Sequence, residues 1–368
     1  MDIPTAMQQN SPVFSETDLF VQGDSGYHTY RIPALLATPK GTLCALCEGR
    51  RDSGSDTGHI DIMLRRSTDR GATWSDIECI ATEEGMTTGN PCPLYDKVSG
   101  TILLALTRNP ADRDANIIKQ GKAERTVWIT GSEDDGMTWK APQEITGQAK
   151  KKGWTWYATG PGHGIQHSSG RLLVPCNHVE PGNYNSEDPS NSHVIYSDDH
   201  GKSWKLGGTV NTLSNESALI ELTDGSVYIN CRTRREVGCR AYGISRDRGE
   251  TFEEVGHHEE LIEPAQFKGG CQASLLRVSA EERCGRNCVL FCNPAFSGDQ
   301  RRNLTIRISK DECRTWSKGK ILFPGFSGYS DMAVLPDNTL FCLYECGEKE
   351  YKEKIRLARF SPSWMESE

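Results

Sequence analysis

An all-β fold is predicted by three features of this sequence. An eight-residue turn signature occurs five times, its copies are almost evenly spaced, and short β-rich runs flank each one. The signature is Ser-x-Asp-x-Gly-x-Thr/Ser-aromatic. It reads STDRGATW at 67–74, SEDDGMTW at 132–139, SDDHGKSW at 197–204, SRDRGETF at 245–252 and SKDECRTW at 309–316, with Cys313 in the glycine position of the last copy. The five aspartates (69, 134, 199, 247 and 311) are separated by 65, 65, 48 and 64 residues. Such a period suggests one antiparallel blade of four strands per repeat. At about 60 residues per blade, the chain has room for six, one without the signature. The prediction is therefore a six-bladed β-propeller forming a single domain over 19–368. A polar arm, 1–18, precedes it and is placed to pair into the last blade.

Each position of the signature has a physical role. The aspartate is expected to bond backbone two residues on, and the glycine to supply a positive φ. The hydroxyl satisfies a loose turn amide, and the aromatic ring anchors the hairpin by burial.

Composition narrows the partners. Lys plus Arg number 42 against 50 Asp plus Glu, a net charge of -8. This balance argues against nucleic acid and against a polybasic membrane anchor. An anionic ligand would need a local cluster of positive charge. Residues 1–20 carry neither a basic start nor an apolar run, and no stretch of about twenty apolar residues is present to span a bilayer. Fourteen cysteines are scattered through the chain, many inside apolar runs, which fits buried free thiols and a cytoplasmic location, with peripheral membrane association left open. No Cys or His spacing matches a metal site, and His257-His258-Glu259-Glu260 reads as a solvated outer turn.

Along the chain, charged residues recur where strands begin or end. Tyr30-Arg31-Ile32-Pro33-Ala34-Leu35-Leu36 sets an arginine in an apolar strand, where a guanidinium needs a carboxylate or an anionic ligand. Leu43 to Arg51 ends a second strand in Glu48-Gly49-Arg50-Arg51, followed by a Gly/Ser/Asp loop containing Asp52 and Asp56. Such a loop can hold a mobile carboxylate. Asn90-Pro91-Cys92-Pro93 reads as a rigid shaped loop rather than a central strand. Glu216 precedes the strand Ala218 to Leu222, and Val227 to Arg232 ends in arginine. Gln272 starts a further blade, Arg301-Arg302 enters another strand, Tyr329 sits in a Gly-rich loop, and Leu340 to Tyr344 is followed by Glu345.

Taken together, these residues resemble the sialidase (neuraminidase) superfamily over nearly the whole chain. The resemblance is carried by Tyr-Arg-Ile-Pro at 30–33, the five turn signatures (the family's Asp boxes), the Arg50 loop, Asn-Pro-Cys-Pro at 90–93, Gly-Pro-Gly-His at 160–163 and Gly-Tyr-Ser-Asp at 328–331. It implies an exo-α-sialidase, a retaining glycoside hydrolase with its site at the central mouth of the propeller and no metal or organic cofactor. It also implies roles. Arg31, Arg232 and Arg301 form the triad for the substrate carboxylate, and Glu345 orients Arg31. Arg50, favoured over Arg51 by its spacing to Asp56, adds a pocket cation. Asp56 is the acid/base with Asp52 as the alternative, Tyr329 the nucleophile and Glu216 its base. Asn90, Pro93 and Gln272 are expected pocket contacts. Rigid guanidinium forks suit a carboxylate. A phenol avoids the repulsion an anionic nucleophile would meet at a carbon bearing its own carboxylate.

The implied substrates are terminal α-linked sialic acids on glycoproteins, gangliosides or oligosaccharides. Where animal cytosolic members carry a pair of pocket tyrosines, this chain has Pro175-Cys176-Asn177-His178. The alternatives are a preference for the deaminated sugar, and a non-catalytic propeller that binds proteins or glycans.

Overall fold

A computed structural model of the chain describes residues 13–182, 190–210, 213–233, 237–264, 269–278 and 288–366. Among these the fold is all-β, with only short helical turns such as Ala115–Lys119 and Pro362–Glu366.

The strands form four hydrogen-bonded sheets. The first runs from Thr29–Ala37 to Gln143–Glu144. It consists of two up-and-down meanders joined by a single parallel bridge between Ile60 and Thr87. The second extends from Tyr157–Thr159 to Lys205–Val210, and the third from Ser217–Glu221 to Glu254–Ile262. The fourth runs from Ser274–Val278 through the long strand Lys320–Val334 to Lys354–Phe360, with Phe14–Val21 at its edge. Apolar clusters sit between neighbouring sheets. Leu35, Leu43 and Met63 of the first pack with Phe341, Leu343 and Leu357 of the fourth. Each fully buried ring such as Phe341 removes enough apolar surface to contribute about 2–3 kcal/mol.

The turn signature is more tightly closed than expected. In the first copy, Asp69 Oδ1 accepts from the Thr73 amide at 2.9 Å and from Ser67 Oγ at 2.8 Å, while Oδ2 accepts from Thr73 Oγ1 at 2.6 Å. The carboxylate therefore reaches four residues on, not two. The leading serine also accepts from the Gly71 amide at 2.8 Å. Those bonds, first from the Thr73 hydroxyl and then from its amide, hold the Asp69 carboxyl down at about 2. Two consecutive residues take positive φ, Arg70 at 61° and Gly71 at 80°; Cys313 adopts 65° at the equivalent place.

Four other expectations are corrected. Residues 1–12 of the arm lie outside the described residues. From Phe14 the chain is a strand paired with Lys354–Phe360, so a boundary at 18 falls inside an element. Asn90 to Pro93 belong to the strand Met86–Asp96, whose register shifts between Gly89 and Cys92. A bulge at that point lets prolines enter a ladder they cannot donate to. Tyr329 likewise lies in the strand Lys320–Val334, beside a register shift between Ser327 and Ser330, not in a loop. His257 to Glu260 are part of the strand Glu254–Ile262, and His258 is buried against Tyr242 at 4.5 Å.

Candidate active site

The charged residues singled out from the sequence converge from the first, third and fourth sheets. Arg31 is 4 % exposed on Thr29–Ala37 and forks onto Glu345, Nε to Oε1 and Nη2 to Oε2, both at 3.0 Å. Glu345 is fully buried and accepts two backbone amides as well, from Ile32 at 2.9 Å and Tyr329 at 3.0 Å. All its lone pairs are thereby engaged, which a buried carboxylate requires. Packing is close enough that Gly328 tolerates no side chain: a Cβ there would stand 2.2 Å from Glu345 Oε2. Ile32 sits at φ 60°, an unusual conformation for a β-branched residue, held next to this ion pair.

Tyr329 hydrogen-bonds Glu216 Oε1 through its hydroxyl, and Arg232 Nη1 donates to Glu216 Oε2 at 2.8 Å. Burial, followed by the Glu216 carboxylate, pushes the Tyr329 phenol well above its ordinary value, against the opposing pull of Arg232 and Arg301. Arg232 also donates from Nη2 to the Gly269 carbonyl at 2.9 Å, and Arg301 Nη2 donates to the Gly270 carbonyl at 3.2 Å. The guanidinium carbons of Arg31 and Arg301 lie 5.1 and 5.5 Å from the Tyr329 ring centre. The same two lie 5.3 and 5.4 Å from Tyr351.

Asp56 is the exposed member, its side chain 76 % accessible. Its Oδ1 is 2.7 Å from Arg50 Nη1 and 3.4 Å from Arg31 Nη1. The surrounding protein acts to raise its pKa. Arg50 and then Arg31 outweigh that effect and hold the carboxyl well below the usual range. Arg50 is fixed in turn by Glu48 Oε2, at 2.7 Å from Nη2 and 3.1 Å from Nε. Arg51 points elsewhere, to Asp61 at 2.8 Å.

A cavity of about 210 Å³ opens in front of Tyr329, walled by Ile32, Glu48, Arg50, Asp56, Asn90, Trp156, Asn177, Glu216 and Arg232. Of the expected substrate-binding residues, Arg50, Arg232 and Asn90 line it, whereas Arg31, Arg301, Glu345, Pro93 and Gln272 do not. Pro93 is buried in its strand with its carbonyl taken by the Gly164 amide. Gln272 is 1 % exposed and clasps the peptide of Ser330, accepting from its amide and donating to its carbonyl, both at 2.9 Å.

Three residues escaped the sequence reading. Glu48 holds Arg50 and accepts the Asn90 amide at 2.9 Å. Its signal was available, since a carboxylate buried in a strand demands a partner just as Arg31 does. Arg125 is buried with its donors on neutral oxygens, including Tyr157 O at 2.7 Å and Thr107 Oγ1 at 2.8 Å, and lies 4.4 Å from the Trp156 ring centre. Burial pushes it down to about 10. Tyr351, in a charged surface hairpin, carried no signal. Among the described residues, no group of His, Cys, Asp or Glu is arranged to hold a metal ion, and no helix is long and apolar enough to cross a membrane.

Comparison with known proteins fits this geometry. Residues 41–342 match the family model described as a BNR repeat-like domain. The "Sialidase" of Micromonospora viridifaciens is 32% identical over 377 residues, covering 96% of this chain and 55% of that protein. The chain thus spans little more than half of that relative. Human "Sialidase-3" is 31% identical over 422 residues, covering 98% of this chain and 94% of the relative. Among solved structures, Hadza microbial sialidase Hz136 superposes with a TM-score of 0.84 at 29% identity, over 95% of this chain and 69% of that one. On the family match and these identities, the chain belongs to the sialidase superfamily.

Proposed function

We propose that this protein is an exo-α-sialidase that hydrolyses terminal α-linked sialic acids on glycoproteins, gangliosides or oligosaccharides with retention of configuration. The observation that carries the reading is the Tyr329–Glu216–Arg232 cluster: a buried phenol bonded to a carboxylate whose other oxygen is held by a guanidinium. A base in contact with a hydroxyl that otherwise keeps its proton is the arrangement an activated nucleophile requires.

In this reading Arg31, Arg232 and Arg301 bind the sugar carboxylate. Tyr329 attacks the anomeric carbon while its proton passes to Glu216, and Asp56 protonates the departing oxygen. Water, activated by the same Asp56, then releases the sugar from Tyr329. Asp56 is paired with Arg50 and Arg31. A substrate carboxylate arriving at Arg31 brings a competing negative charge, which loosens that hold and raises the Asp56 pKa toward the range of a working acid. No step calls for a metal or an organic cofactor.

Counted with the long strand Lys320–Val334 shared between two of them, the four sheets give six four-deep meanders, which supports a six-bladed propeller, and the shared core between the first and fourth sheets supports ring closure. The five turns are read as Asp boxes. Buried cysteines such as Cys44, Cys92, Cys231 and Cys342 form no disulfide, which supports a reducing, cytoplasmic setting.

The test is hydrolysis of a fluorogenic α-sialoside by the purified chain beside Tyr329→Phe, without added metal. Turnover by the parent chain and its loss in a folded Tyr329→Phe variant is the expected result. Comparable turnover by both would remove Tyr329 as the nucleophile, and no turnover by either would point to the deaminated sugar or to a binding protein.

A further inference from the structure

We propose that Arg240 and Glu263, neither of which lines the cavity, are positioning residues that set two of the site's arginines through one short backbone segment. The proposal rests on the reading that Arg232 and Arg301 bind a carboxylate.

Arg240 is the largest fully buried side chain among the described residues. Its Nε donates to Asn230 Oδ1 at 2.6 Å, and its Nη1 donates to Glu263 Oε1 at 2.6 Å and to the Cys271 carbonyl at 2.7 Å. The other oxygen of Glu263 accepts the Cys271 amide at 3.0 Å. The two charged side chains therefore grip both polar groups of residue 271. A buried ion pair gives little net stability, because desolvating two charges offsets their attraction. Its geometric effect is larger, since a buried hydrogen-bonded network rigidifies both partners and the peptide they hold.

The gripped segment is where the site's arginines end. Gly269 O accepts from Arg232 Nε and Nη2 at 3.2 and 2.9 Å, and Gly270 O accepts from Arg301 Nη2 at 3.2 Å. Gln272, one residue past the grip, clasps the Ser330 peptide beside Tyr329. The segment cannot give way sideways. A Cβ on Gly270 would stand 2.8 Å from Arg232 Cγ and 2.9 Å from the Thr233 carbonyl. Residues 269–272 therefore transmit position. Arg240 and Glu263 fix the back of the segment, and its front aims two guanidinium groups and steadies the Tyr329 peptide. A shift of the Cys271 peptide moves both carbonyls together, and with them two of the three forks meant for one carboxylate.

Glu263→Asp and Arg240→Lys keep the buried charges paired, and so keep the fold, while pulling the grip off the peptide. The probes are 2,3-unsaturated sialic acid and its C1 amide, which differ only in the carboxylate. The Kd of the acid is expected to rise about tenfold in both variants while that of the amide stays within about twofold. KM for a fluorogenic sialoside should rise by a similar factor with a smaller fall in kcat. Arg171→Lys, which loosens an ion pair with Asp198 and Glu250 beside the turn signatures, is the control for lost stability alone. It should lower Tm and move neither Kd. Arg301→Ala tests the underlying reading and should weaken the acid by about a hundredfold or more. Acid and amide weakening equally in the grip variants, or an unchanged acid Kd there while Arg301→Ala loses it, overturns the proposal. Undiminished acid binding by Arg301→Ala overturns the carboxylate reading itself, and the proposal with it.

Discussion

Two kinds of polar cluster stabilise this molecule, and they differ in how far along the chain their partners lie. In the repeated turns, Asp69 finds its main partners two and four residues away, at Ser67 and Thr73, in a largely solvated hairpin. Asp134, Asp199, Asp247 and Asp311 repeat the pattern. In the candidate active site, Arg31 pairs with Glu345 across 314 residues and Tyr329 with Glu216 across 113. A turn can close as soon as its eight residues meet. The site's charges are compensated only when distant sheets have assembled. Damage to a turn should therefore stay local, whereas damage to the site should act on the whole fold or the whole reaction.

The sharpest test of that contrast is Glu345→Ala. It strands the buried Arg31 charge and two backbone amides, so unfolding free energy should fall by about 3–5 kcal/mol, read by urea denaturation. A loss below about 1 kcal/mol would mean water reaches Arg31 and the site is less closed than its geometry indicates. Next in size, Asp56→Ala should reduce hydrolysis by about 10²–10⁴-fold for sialosides with poor leaving groups and far less for aryl sialosides with good ones. Because the Asp56 side chain is largely exposed, Tm should barely change. Equal losses on both substrates would argue against proton donation.

A smaller effect is expected from a buried pair behind the cavity wall. His178 and His193 face each other at 3.0 Å between Nδ1 atoms, with Trp154 stacked on His178 at 3.5 Å. Burial first, with Lys151 adding to it, pushes His178 down to about 3, and His193 is lowered as well. The folded state thus refuses protons that the unfolded chain accepts below about pH 6.5. Stability from this pair is full above that value and declines as pH falls toward 3. A Tm–pH curve should show that arm, and His178→Phe should flatten it. The least effect belongs to a single turn: Asp69→Ala should lower Tm by a few degrees and leave KM unchanged. A large change in KM would show that the turns and the site are not separable.

Local patterns were the legible part of this sequence. The signature could be read because its members act within eight residues, and its period fixed the β class. Arg31, Arg232 and Glu345 stood out because each interrupts or ends an apolar run, whereas Glu216, Arg301 and Tyr329 were singled out through family resemblance. Pairings across hundreds of residues, such as Arg31 with Glu345, were implied by the resemblance and not by the residues themselves. Glu48 went unassigned although it holds Arg50, and Gln272 was expected to touch ligand when it instead clasps Ser330. Bulges were also misread. Proline at 91 and 93, and glycine at 325 and 328, suggested loops, but a register shift absorbs each group inside a strand. Tyr351 illustrates the remaining limit, because nothing in a run of lysines and glutamates marks a ring that will stand beside two arginines.

An idle Tyr329 is a poor reagent. Its hydroxyl keeps its proton through the neutral range, shielded at 6 % exposure and engaged with Glu216. Nitrating or iodinating agents that seek phenolate should pass it by and mark exposed tyrosines instead. On the proposed reading, a covalent label for this position would have to present an anion to the arginines before its electrophile meets the ring oxygen. If Tyr329 is the nucleophile proposed, the same shielding keeps it from reacting until a ligand is in place.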